Sequence, residues 1–211
     1  MALNTGERVR ASAVKLFAGK GFHGTGIRDL AQAAKISSAS LYHYMGTKEE
    51  LLAGIMRECL ERLLLAASRL PGEDPPERLA ALVALHVLTH ATQPDRTRVV
   101  DHELHVLSAA ARRGIVRLRD EYEDLWTVAI EDGIRAGSFH DGQPGVTRLA
   151  LIEMCNGVSR WYSPRGPLSL EELADHYARL ANRMLGGREN DFSIVVGQVR
   201  SVVSTVWKKP L

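Results

Sequence analysis

Two short amphipathic segments separated by four residues constrain this 211-residue chain more than any other feature. The first, IRDLAQAA, runs from Ile27 to Ala34 and places Ile27, Leu30, Ala31 and Ala34 on one helical face. The connector KISS follows, and then ASLYHYM, from Ala39 to Met45. Two short helices joined this tightly form a helix-turn-helix. Ala31 suits the steep crossing, where a small side chain is needed. Ile36 and Leu41 are expected to plug the pair into a preceding helix, GERVRASAVKLFAGKG, whose Val9, Ala13, Leu16 and Phe17 form a stripe. Asn4 or Thr5 can cap its start, and Gly21 suits the left-handed position at its end.

A fourth helix begins at a T-x-x-E capping box, Thr47 with Glu50, and reaches about Arg69 before Pro71-Gly72. Gly72–Pro76 is the linker candidate. Beyond it the periodicity predicts helices over 74–92, 96–108, 112–136, 143–162 and 169–185. The tail DFSIVVGQVRSVVSTVW is rich in β-branched residues, which suits a strand. Its Phe192, Val195, Val196, Val199, Val202, Val203 and Val206 recur at threes and fours, which favours a helix. The fold expected is all-α, with a three-helix N-terminal domain over 1–50. A long helix joins it to a C-terminal helical-bundle domain over 51–211.

Charge separates the two ends. Residues 1–57 carry eight Lys/Arg against four acids, a net of +4, while residues 58–211 carry nineteen against twenty-one, a net of −2. A basic head on a mildly acidic body points to a polyanion partner for the head. No apolar run approaches the ~18 residues of a membrane span. The start, MALNTGERVR, has no apolar leader, so a cytoplasmic location is expected. Cys59 and Cys155 lie far apart, as buried thiols of a reducing compartment do.

The third helix carries the chemistry. With Leu41 and Met45 turned inward, Ser38, Ala39, Ser40, Tyr42, His43 and Tyr44 are left for the outer face and its margins. Short side chains at the helix start let its backbone approach base edges, and Ser hydroxyls can donate or accept there. Tyr phenols donate to phosphate oxygens and set register. Packing within the three-helix core is the alternative use for Tyr42 and Tyr44. Lys48, in the first turn of the fourth helix, is expected to clamp a phosphate, as are Thr25 and Arg28 at the second helix.

The stretch LFAGKGFHGTGIRDLAQAAKISSASLYHYMGTKEELLAGIM, from Leu16 to Met56, resembles the N-terminal domain of the TetR (tetracycline-repressor-like) transcriptional regulators. The shared marks are Phe17, Lys20-Gly21-Phe22, Thr25, Asp29-Leu30-Ala31, Ala34, Ser37, Leu41-Tyr42 and Lys48-Glu49-Glu50-Leu51-Leu52. The resemblance implies a homodimer bound to double-stranded operator DNA, with Tyr42 and Lys48 on phosphates. Ser37 and the recognition helix Ser38–His43 would lie at the bases. Three positions depart from the pattern. Gly26 replaces the usual Ser or Thr cap, so Asp29 loses a capping-box partner. Lys35 replaces a common Gly, at a cost of ~1–2 kcal/mol if that residue is left-handed. Ser38-Ala39 replaces a frequent Lys-Gly.

The body is more weakly similar to the branch of that family that senses acyl-CoA thioesters. The marks are Gly133, Gly137-Ser138-Phe139, Trp161-Tyr162 and Gly166-Pro167-Leu168-Ser169. Arg160, Trp161, Tyr162 and Arg165 offer cations for phosphates and an aromatic wall for an acyl group. With His102, Trp126 and Asn156 they form the expected effector site. Leu173, Tyr177, Leu180 and Met184 are the expected two-fold stripe, although packing within one chain explains the same spacing. The pairs His86/His90 and His102/His105 could each face a metal. Neither CxxC nor HExxH accompanies them, so no metal, cofactor or catalytic residue is assigned. The function expected is a ligand-responsive regulator, a repressor released by an acyl-CoA-like effector. The alternatives are a sensor of hydrophobic drug-like ligands controlling an efflux gene, and a metal-dependent enzyme built on the histidines.

Overall fold

The computed structural model describes residues 3–208, and all regular structure among them is helical. The order is α1 (Thr5–Lys20), α2 (Ile27–Ala34), α3 (Ser38–Met45), α4 (Lys48–Ala67), α5 (Pro75–Thr92), α6 (Pro94–His102), α7 (Ala109–Arg135), α8 (Pro144–Asn156), α9 (Val158–Trp161), α10 (Leu170–Met184) and α11 (Ser193–Trp207). A single 3₁₀ turn, Leu104–Val106, lies between α6 and α7.

The helices divide into two compact units. The first comprises residues 1–61 and 95–119, so it is larger than the 1–50 segment expected to hold the helix-turn-helix. The Asn4 side chain caps α1, accepting from the Glu7 N–H at 2.9 Å, while Glu7 returns the contact to the Asn4 N–H at 2.8 Å. Val9, Ala13, Val14 and Phe17 of α1 meet Leu30, Ala31 and Ala34 of α2 and Leu41 and Met45 of α3, all of them buried. Thr47 and Glu50 close the expected box at the start of α4, at 3.0 and 2.7 Å. Asp29 keeps half of its own box: its carboxylate accepts the Gly26 N–H at 3.0 Å, a contact that needs no side chain at residue 26. Lys35 is left-handed, with φ 56° and ψ 48°, so the strain attached to that position applies.

The second unit comprises residues 62–94 and 120–211. Its axis is α5, buried from Leu79 to His90 without interruption, with α8, α9, α10 and α11 packed on it. A helix covered on every side reads as a continuous apolar run rather than a stripe, which is the pattern of LAALVALHVL. The tail resolves as the helix α11, with Phe192, Val195, Val196, Val199, Val203 and Val206 turned inward. Spacing outweighed β-branching because a buried face on α5 rewards the three-and-four repeat. Arg62 covers the ring of Trp207 at 5.4 Å. The helix expected over 143–162 is interrupted at Gly157. Glycine is a poor helix former, and the Ser159 hydroxyl takes the Asn156 carbonyl at 2.9 Å.

Candidate functional site

The outer face of α3 is assembled by its own cap. The Ser37 hydroxyl accepts the Ser40 N–H at 3.1 Å and pairs with the Ser40 hydroxyl at 2.9 Å. Ser38 and Ala39 are exposed beside them. Leu41 and Met45 point inward, and Tyr42, His43 and Tyr44 point outward, with Tyr42 54% and Tyr44 46% exposed. Tyr44 also meets His43 edge-on at 5.3 Å and rests near Gly6 at the start of α1. Tyr42, by contrast, is a phenol on a surface helix, free to donate. Arg28, in the first turn of α2, is exposed as well.

Two expected phosphate contacts are corrected here. Thr25 is fully buried; its hydroxyl donates to the Gly21 carbonyl at 2.8 Å, and its own N–H goes to the Phe22 carbonyl at 3.2 Å. The side chain belongs to the α1–α2 turn and cannot reach a phosphate. Lys48 does not present a free ammonium. Its Nζ donates to the carbonyls of Phe22 at 2.9 Å and Thr25 at 3.0 Å, and lies 4.1 Å from the centre of the Phe22 ring. Glu49 and Glu50 are also engaged. Glu49 accepts the Ser108 N–H at 2.9 Å, ahead of α7, and bonding to Ser108 holds its carboxyl below the usual range. Glu50 is held low by its bonds to Thr47.

In the second unit a polar chain crosses the core. The His86 ring stacks on His90, centroids 4.0 Å apart and 8° from parallel. The Tyr122 hydroxyl lies 3.2 Å from His86 Nδ1, and Asn156 Oδ1 lies 2.8 Å from Nε2. The neutral imidazole with its proton on Nε2 satisfies both, accepting from the phenol and donating to the amide. His90 Nδ1 donates to the His86 carbonyl at 2.9 Å. Burial, with His90 beside it, pushes the His86 imidazole well below its ordinary value, against the opposing bond to Asn156. Burial likewise raises the Tyr122 phenol and the Cys155 thiol. Trp126 is fully buried and edge-on to His86 at 5.7 Å.

The expected effector residues therefore fall into three places. Trp126 and Asn156 join around His86. Trp161 is 53% exposed, stacks on Tyr177 at 6.5 Å and meets Tyr162 at 6.3 Å, with Arg160 and Arg165 exposed nearby in sequence. His102 is exposed and belongs to the first unit, so it does not join the cluster around His86. Sequence reading treated His86 as a half of a metal-like pair and passed over Tyr122. The available signal was an imidazole inside an unbroken apolar run, which must find partners from other helices. Among the described residues no group of three potential ligands gathers around a metal position. The expected two-fold stripe is also divided. Leu173 is buried within its own unit, which removes it from any external face, while Tyr177 and Leu180 are half-buried and Met184 is 42% exposed.

Gly133, one of the marks of the weaker resemblance, has a packing reason. A Cβ there would lie 2.1 Å from the ring of Phe139, which is itself buried.

Comparison with known proteins joins the two units to a single family. Residues 9–55 match the family described as "Bacterial regulatory proteins, tetR family", and residues 72–185 match "Tetracyclin repressor-like, C-terminal domain". The HTH-type transcriptional repressor KstR2 of Rhodococcus jostii is 30% identical over 78% of this chain and 83% of its own. The crystal structure of a bacterial regulatory protein in the tetR family from Rhodococcus RHA1 is 31% identical. It covers 89% of this chain and 100% of its own, with a TM-score of 0.81. AibR, solved in complex with isovaleryl coenzyme A and operator DNA, shares the fold at a TM-score of 0.75. It is 24% identical and covers 84% of this chain and 97% of its own.

Proposed function

The chain belongs to the TetR family of transcriptional regulators, and on that premise we propose that it is a repressor that binds a near-palindromic operator as a homodimer and leaves it on binding a small molecule. One observation carries this reading: α3 turns Leu41 and Met45 inward and offers Ser38, Ala39, Ser40, Tyr42, His43 and Tyr44 to the outside. A short helix so presented fits a major groove. Charge supports the same partner, because the first unit holds fourteen Lys/Arg against nine acids, a net of +5. In this reading Tyr42 and Arg28 contact phosphates, Ser38, Ala39 and His43 meet base edges, and Ser37 and Ser40 shape the helix start. Trp161, Tyr177, Leu180 and Met184 supply apolar surface for a two-fold contact.

For the effector, Arg160 and Arg165 flank the exposed pair Trp161 and Tyr162. Guanidinium groups beside an aromatic wall suit an acyl-CoA thioester, with phosphates at one end and an apolar acyl group at the other. AibR's complex with a coenzyme A thioester makes this class the first to try. The effector must bind the DNA-free conformer more tightly than the DNA-bound one, since only differential affinity shifts the equilibrium.

The test is a mobility shift with the DNA flanking the protein's own gene against random duplex of equal length. Preference for one flanking fragment, relieved by an acyl-CoA and not by free coenzyme A, is the expected outcome. No preference for any fragment sinks the repressor reading, and relief only by hydrophobic cations transfers the effector to the drug-sensing alternative.

A further inference from the structure

We infer that Lys48 is a positioning residue that sets the recognition helix, not a phosphate-neutralising cation; the inference deepens the DNA-binding reading above. An ammonium has three N–H donors. Two of them are taken by the Phe22 and Thr25 carbonyls, and the Phe22 ring fills a further side at 4.1 Å. Both carbonyls belong to the irregular turn between α1 and α2, where no helical partner reaches the Thr25 carbonyl. Turning Lys48 toward DNA would strip those oxygens of a charged donor and leave part-buried acceptors unpaired.

The turn that receives Lys48 is stiff. Thr25 closes it twice, through its hydroxyl and its N–H. At Gly24 a Cβ would lie 2.3 Å from the Lys20 carbonyl, so the chain folds back on α1 too closely for any side chain. Phe22 is buried and packs on Phe17 of α1 at 5.6 Å. Two residues further on α2 begins, and its end passes to α3 through the Ile36 N–H on the Ala31 carbonyl. The Lys48 amine therefore bolts the first turn of α4 to the scaffold that aims α3. Glu49 ties the same turn to Ser108, so adjacent residues of α4 anchor it in two directions.

Two measurements on the full-length protein decide the matter. In the absence of DNA, hydrogen exchange is followed over residues 20–27 in Lys48→Met, which keeps an unbranched chain and loses the donors. Exchange there is expected to speed about tenfold. With random-sequence duplex, affinity is measured across a salt series. Lys48→Met is expected to weaken binding about tenfold at every salt. The slope of log K against log salt should stay at the wild-type value. Lys48→Arg should resemble Lys48→Met, because a planar fork does not fit between two carbonyls and a ring. The opposite pattern overturns the inference: unchanged exchange in the turn, a slope reduced by about 0.9 as for one lost phosphate contact, and full binding by Lys48→Arg. If the wild type binds no duplex at all, the repressor reading fails by itself. The exchange measurement still decides whether Lys48 holds the turn.

Discussion

The helices α3 and α5 handle polar side chains in opposite ways. The eight residues of α3 bury only Leu41 and Met45 and leave hydroxyls, phenols and an imidazole in water. The eighteen residues of α5 bury nearly everything, including His86, Thr89 and His90. On α3 a polar group costs nothing while it waits for a partner from outside. On α5 it must be partnered within the fold, since an unpaired buried polar group costs about 1–3 kcal/mol. Substitutions on α3 should therefore change binding and spare stability, and substitutions around α5 should do the reverse.

The largest effect tests the α5 side. Trp126→Ala should lower unfolding stability by about 3–5 kcal/mol, read as a shift of the urea midpoint. A loss below 1 kcal/mol would mean that the core around His86 is loose and that the contrast fails.

Acid should act on the same place. Burial holds the folded-state value of His86 below that of the unfolded chain, so between those two values the unfolded chain binds more protons and stability rises with pH. Stability attributable to this group is thus complete above the ordinary imidazole value of about 6.5 and declines as pH falls below it. Thermal melts at pH 7.5 and 5.5 should show a decline that His86→Gln makes shallower; parallel profiles would remove His86 from the account.

On the α3 side, Tyr42→Ala should weaken duplex binding about tenfold, the loss of one phosphate hydrogen bond. Its melting temperature should match wild type. A fall in melting temperature with binding intact would make Tyr42 a core residue and erase the difference between the helices. The smallest effect is local: Lys35→Gly relieves a left-handed residue at the end of α2 and should stabilise the protein by about 1 kcal/mol. No gain in melting temperature would mean that the turn compensates the strain.

Much of this could be read before any coordinates. Spacing placed α2, α3 and the start of α4, and it decided correctly for a helix in the valine-rich tail, because each depends on which residues share a face within a few turns. The inward direction of Leu41 and Met45 and the outward direction of Tyr42 followed from the same rule. Where reading failed, partners came from distant segments. Lys48 looked like a free cation at a helix start because the two carbonyls that hold it lie 26 and 23 residues earlier. His86 looked like half of a metal pair because Tyr122 and Asn156 lie 36 and 70 residues away. Leu173 fitted an external stripe until the packing of α10 on α5 turned it inward.

The amino-acid order by itself determined the all-helical class, the helix-turn-helix and the outward chemistry of α3. Local periodicity and caps depend on neighbours a few residues apart. The tertiary structure alone decided which polar groups are occupied. Hydrogen bonds and burial are settled by whichever helix arrives opposite, and a side chain's type does not reveal whether its charge faces a phosphate or a carbonyl of its own chain.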